Sequence, residues 1–224
     1  MSRWLSGAIL ALAVFLLVRP VEAATACPPP KPAAIKVMTS LPPPVLDNTL
    51  DRRALEAKAS RDHPGSQPIG LYEAELKLDA ETAYLFNQVG GEVCVVLNEV
   101  KLNLSFGNRR IYVQRDYPPG SCAYNAVLTH ERKHQAVDEN LVQEYLPRLI
   151  GNIETAVAQA KQTVSVPVGR HEEVMHRFGA IAGAAVDQGF KEMNAERNRR
   201  EAAVDNRDEY ARVARSCPGG LPGL

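Results

Sequence analysis

The 224-residue chain carries no excess charge of either sign, with 26 Lys and Arg against 26 Asp and Glu. A nucleic-acid binder needs a basic footprint, so that class of partner is not expected, and no basic stretch is interleaved with aromatics. A glycine-rich phosphate loop is also missing, since Gly90-Gly91 stands as an isolated turn pair. The four cysteines include no CxxC pair, which argues against a cysteine-ligated zinc module. Beyond residue 18 no run is apolar enough to cross a bilayer.

The one long apolar run, residues 5–18, follows Arg3 and precedes the small-x-small triplet Val21-Glu22-Ala23. Residues 1–23 therefore read as a secretion signal cleaved after Ala23, with no stable membrane insertion of the mature chain. Lipidation at Cys27 is a lesser option, because Ala24-Thr25-Ala26 lacks the usual leucine of a lipobox. The expected location is periplasmic or secreted, in a bacterial cell envelope. An even cysteine count in an oxidising compartment suggests two disulfides, and the expected pairs are Cys94–Cys122 and Cys27–Cys217.

Residues 130–134 read His-Glu-Arg-Lys-His, the HExxH pattern, inside a stretch with helical character. On a helix, residues four apart are neighbours on one face, so His130 and His134 can supply two nitrogens to one zinc ion. Glu131 then stands beside the open coordination position as the expected general base. The bland alternative is a charged helix face with both histidines in water.

Around the motif the chain divides into four parts. Residues 24–68 are rich in proline and are expected as an extended arm or linker, with a short charged helix over 51–62 and His63 in a loop. Residues 69–217 form the expected folded domain. Alternation from Ile69 to Ala80 predicts a strand, as do the apolar residues of 92–106, with a bend or bulge near Asn98-Glu99. Gly107-Asn108 is expected as a turn before a third strand at 111–113. A long helix over 126–161 contains Pro147, which should kink or split it. A break near Val166 separates it from a second long helix over 170–215, and residues 218–224 read as a loose tail. The expected fold class is α+β: a small, mostly antiparallel sheet followed by two long helices in a hairpin.

Two histidines need a third ligand. No glycine and third histidine follow the motif, since Asn140 occupies the position where that histidine would fall. A hairpin of the two long helices would bring residues near 200 level with the motif, which nominates Glu201, Glu196 and Asp205. Glu201 is favoured because it shares a stripe with Met193, Arg197 and Val204. Glu139 and Asp138 are near-sequence candidates that a straight helix serves poorly. His171 and His176, at a spacing of five, make a weak ligand pair.

The stretch Val113-Gln114-Arg115-Asp116-Tyr117-Pro118-Pro119-Gly120-Ser121-Cys122, running into Leu128-Thr129-His130-Glu131-Arg132-Lys133-His134, resembles a domain-of-unknown-function family of secreted bacterial proteins classed as zinc-dependent proteases. The resemblance covers about residues 69–215. It implies a zincin-like arrangement of a small sheet, the motif helix and a long partner helix, with a signal peptide and disulfides. His130, Glu131 and His134 match the family's motif, and Glu139 lies where that family often has an acidic residue. Gln135 departs from the aromatic that often follows the second histidine, and the family's C-terminal aspartate-rich signature is matched only loosely over residues 205–210.

The resulting expectation is an exported zinc-dependent metallopeptidase that hydrolyses peptide bonds in a peptide or protein substrate. The alternative is a non-catalytic, disulfide-stapled envelope domain that binds a partner.

Overall fold

A computed structural model describes residues 27–59 and 68–221. The expected signal over 1–23, the loop residue His63 and residues 222–224 lie outside the described residues. The elements are β1 (Ala34–Ser40), β2 (Val45–Asp47), α1 (Arg52–Ala59), β3 (Gly70–Val89), β4 (Glu92–Val113), α2 (Cys122–Gln159), β5 (Thr163–Pro167), α3 (His171–Val204) and α4 (Arg207–Ala214), with one 3-10 turn at Val168–Arg170.

The spine of the molecule is β4, against which all four other strands pair. Its apolar residues Val95, Leu97, Val100, Leu102, Leu104 and Phe106 are almost wholly buried. They keep to one face across a bulge, because Ala83 pairs with Glu99 while Tyr84 pairs with Leu97, leaving Asn98 as the extra residue. Gly107-Asn108, expected as a turn, lies inside the same strand. The register shifts there, between Glu73 and Glu75 of the partner, and Asn108 takes a left-handed φ of 51°. Two expected strands are thus one long bent strand.

The expectation of a mostly antiparallel sheet needs correction. β3 and β5 do pair antiparallel with β4, but β1 and β2 pair parallel with it, so the sheet is mixed. The parallel strands come from residues 34–47, expected as an arm outside the domain. Within β1, Ile35 and Val37 pack on the core beneath the sheet, while Met38 on the alternate side is 63% exposed. This is the period-2 alternation of a half-buried strand. Such a short stretch beside polyproline reads as linker until β4 supplies an edge. β5 was likewise expected as a break, although its residues Val164 and Val166 pack on the core.

One face of the sheet is covered by helices and the other carries charged pairs, which gives two layers. On the open face Lys36 pairs with Glu99, Lys58 with Glu73 at 2.8 Å and Arg110 with Asp47 at 3.1 Å. On the covered face α2 and α3 lie antiparallel. Their contacts step in opposite senses, from His134 with Glu201, through Asp138 with Arg197, to Leu149 against Gly189. Gly189 allows the helices to approach closely, because a Cβ there would meet Leu149 Cδ1 at 2.4 Å. Pro147 is accommodated within an unbroken α2, whose first turn is capped by Ser121 Oγ accepting the Tyr124 N–H at 3.1 Å. Leu149, Ile153, Val157, Phe178, Ala182 and Val186 fill the core between the helices and β4.

The disulfides also differ from expectation. Cys27 bonds Cys94 and Cys122 bonds Cys217. The first fastens the incoming chain to β4, and the second fastens the start of α2 to the segment just after α4. The expected pairing of Cys94 with Cys122 fails because β4 separates them: Cys94 lies near its start, whereas Cys122 follows its far end. The tail is less loose than expected, since Leu221 is buried in the cluster with Tyr117, Tyr124 and Val213.

Candidate metal centre

His130 and His134 lie one helical turn apart on α2, and both are buried, at 6% and 7% exposure. Their rings meet edge to face with centroids 5.1 Å apart. The expected second long helix does not run unbroken over the site. It stops at Asp205, and Asn206 begins α4 by accepting the Glu209 N–H on its side chain at 2.9 Å. That break carries Asp205, Glu209 and Tyr210 across the histidines.

Each imidazole is held by carboxylates at both nitrogens. Nδ1 of His130 faces Glu209 Oε1 at 3.3 Å, and Nδ1 of His134 is bonded to Glu201 Oε2. Both Nε2 atoms face the same oxygen, Asp205 Oδ1, each at 3.2 Å. If each Nδ1 donates its proton to its own carboxylate, each Nε2 of a neutral ring presents a lone pair. Two nitrogen lone pairs and a carboxylate oxygen would then converge and repel, unless protons or a cation lie among them. The three ligand atoms are all within 4.8 Å of one another. A carboxylate behind each imidazole is the second layer that orients metal-bound histidines. Glu201 Oε1 adds a buried oxygen with no hydrogen-bond partner among the described residues. The donor set of two imidazoles and one carboxylate therefore fits zinc.

Electrostatics follow this crowding. Burial disfavours charge on His134, but hydrogen bonds to Asp205 and Glu201 outweigh it and raise the imidazole to about 10. His130 is raised for the same reasons, against its burial, by Asp205, Glu131 and Glu209. Burial also opposes charge on Asp205, yet the two imidazoles hold its carboxyl well below the usual range. Glu209 is depressed chiefly by Arg212, with Lys133 and His130 adding to the effect.

Glu131 is buried beside the histidines. Its carboxylate abuts Gly70, where an added Cβ would meet Oε1 at 2.5 Å, and it accepts the backbone N–H of Tyr72. Burial pushes its carboxyl up to about 7, against the pull of the two histidines. A carboxylate poised near neutrality is suited to take and return a proton.

The remaining candidates are placed elsewhere. Glu196 is bound to Arg199 and, at 2.7 Å, to Arg200, so it turns away from the histidines. Glu139 accepts from Arg109 and Gln135, each at 2.9 Å. Neither belongs to the cluster of His130, His134 and Asp205. Asp138 is fully buried but belongs to a neighbouring network, where it binds Arg197 at 2.6 Å and accepts the Tyr72 hydroxyl at 2.8 Å. His171 instead contacts the Val168 carbonyl at the start of α3. Glu209 and Tyr210 were not singled out from the sequence. A signal existed, since Asn206 followed three residues later by Glu209 is the pattern that starts a helix.

Among the described residues no helix is long and apolar enough to cross a membrane. The two disulfides are compatible with an oxidising environment. Comparison with protein-family models, curated proteins and solved structures finds no match for the chain.

Proposed function

We propose that the protein is an exported zinc-dependent peptidase, acting in the periplasm or outside the cell. The observation that carries this reading is the convergence of His130 Nε2 and His134 Nε2 on Asp205 Oδ1, with a carboxylate behind each ring. His130, His134 and Asp205 would hold the metal, and Glu201 and Glu209 would orient the histidines. Zinc bound there supplies Lewis acidity that lowers a water's pKa and polarises a carbonyl. Glu131, buried and near neutrality, takes the proton of the attacking water and later delivers it to the leaving nitrogen. Export is supported by the N-terminal signal pattern together with the two disulfides.

The test is zinc content of the oxidised protein by elemental mass spectrometry, beside hydrolysis of fluorescein-labelled denatured casein. About one zinc per chain is expected, lost in the His130→Ala, His134→Ala double variant. Glu131→Gln should keep its zinc while hydrolysis falls by roughly 10²- to 10⁴-fold. Zinc absent after reloading at neutral pH, or unchanged hydrolysis in Glu131→Gln, overturns the reading.

A further inference from the structure

Beside the metal centre α2 and α3 are tied together twice. Asp138 stands one turn after His134 on α2, and Arg197 stands one turn before Glu201 on α3, so the contact of His134 with Glu201 is followed by that of Asp138 with Arg197. Asp138 is wholly buried. Its Oδ1 accepts from Arg197 Nε at 2.6 Å, and its Oδ2 accepts from Arg197 Nη2 at 3.2 Å and from the Tyr72 hydroxyl at 2.8 Å. The guanidinium lies over the Phe106 ring, 5.7 Å from its centroid, with the side chain 18% exposed. Neither residue belongs to the cluster of His130, His134 and Asp205.

A buried ion pair does little for stability, because desolvating two charges offsets most of their attraction. It does much for register. If α3 slid one turn along α2 in one sense, Glu201 would come opposite Asp138, carboxylate against carboxylate. In the other sense Arg197 would face His134 and Met193 would face Asp138, leaving a buried carboxylate without its cation. The apolar contacts between the helices impose no such penalty, since burial is non-directional. A second charged pair, Arg200 with Glu144 at 2.6 Å, has its carboxylate side chain 54% exposed, and exposed pairs contribute little. The observed register sets Glu201 on Nδ1 of His134 and, four residues later, Asp205 against both Nε2 atoms.

We propose that Asp138 and Arg197 are positioning residues for the metal centre, their pairing fixing the register of α3 on α2 that brings Glu201 and Asp205 to the histidines. The proposal rests on the zinc reading above. Both residues act through those two carboxylates and not as ligands.

The experiment uses the oxidised protein and two variants. Asp138→Asn, Arg197→Gln is a neutral pair that can still hydrogen-bond, and Arg197→Lys keeps the charge. Zinc affinity is measured by chelator competition, and metal-free melting by circular dichroism. The neutral pair is expected to melt within about 4 °C of wild type, yet to bind zinc about ten- to a hundredfold more weakly. Arg197→Lys, whose charge still opposes the slipped registers, should bind zinc more tightly than the neutral pair. Equal zinc affinity in wild type and the neutral pair overturns the proposal and leaves the zinc site standing. So does a neutral pair that fails to fold or melts well below that range, because Asp138 and Arg197 would then serve the fold and not the site. Arg197→Lys as weak as the neutral pair overturns register by charge. A wild type that takes up no zinc overturns the zinc reading and this proposal with it.

Discussion

At the scale of single residues, the site depends on how close Glu131 sits to the first residue of β3. Gly70 leaves no room for a side chain: an added Cβ would lie 2.4 Å from Val127 Cγ1 and 2.5 Å from Glu131 Oε1. Both atoms belong to the buried inner face of α2, so neither can move without disturbing the core. Gly70→Ala is therefore expected to cost about 1–3 kcal/mol of stability, as overpacking does. It should also turn the Glu131 carboxylate away from the Tyr72 N–H. Hydrolysis should fall more than tenfold while zinc content stays near wild type, since the histidines project from another side of the helix. Thermal melts beside zinc analysis check this, and a variant with wild-type stability would show that β3 can retreat. At this scale the shared face of the two histidines was legible in the chain itself, because His130 and His134 need only the spacing of a helix to meet. The acidic partner was not. Spacing favoured Glu201, which meets Nδ1 of His134, whereas Asp205 faces both Nε2 atoms and Glu196 is taken up by arginines of its own helix.

Among elements, the decisive feature is the break between α3 and α4. Had the helix continued past Val204, the next carboxylates would have risen along its axis rather than crossing the histidines. Asn206 enforces the restart by capping Glu209, and the bond from Cys122 to Cys217 holds α4 against the start of α2. Val213 and Leu221 pack beneath it with Tyr117 and Tyr124. Asn206→Ala should lose about 1 kcal/mol, the typical value of an N-cap. The Cys122→Ser, Cys217→Ser double variant should lose about 2–5 kcal/mol. Both should weaken zinc binding, because Asp205 and Glu209 would no longer be fixed, whereas the Cys27 to Cys94 bond should matter little for zinc. Chelator competition on these two variants and on the Cys27→Ser, Cys94→Ser double variant distinguishes these outcomes, and equal zinc affinity throughout would mean that α4 is not a support of the site. The alternation of β3 and β4 was readable in the sequence. The roles of β1, β2 and β5 were not, because short strands at a sheet edge become strands through the partner they find.

For the whole molecule, the buried charges couple stability to pH. In the metal-free chain His134 is raised from 6.5 to about 10 and Glu131 from 4.5 to about 7. For both, the native state holds more protons than the unfolded state between the two values. Their contribution is thus present at low pH and lost as pH rises, through 4.5–7 for Glu131 and 6.5–10 for His134. Asp205 and Glu209 act in the opposite sense, since their carboxyls are depressed and their contribution is lost in acid. The metal-free protein should be most stable in mild acid and weaken toward pH 10. Zinc binds unprotonated nitrogens, so its stabilisation should be absent in acid and grow across neutrality. Melting curves with chelator and with zinc, taken from pH 5 to 9, should diverge as pH rises, and parallel curves would show that zinc does not engage these histidines.

The features that could be read along the chain are local: the HExxH face of α2, the alternation that buries one side of β3 and β4, and a cysteine count that pairs completely. These follow from periodicities of two and 3.6, which any short stretch carries within itself. The mixed sheet, the disulfide partners and the placing of Asp205 beside both histidines emerged only from tertiary contacts. Each depends on which distant segments share space, and that is set by burying β4 and the two long helices against one another.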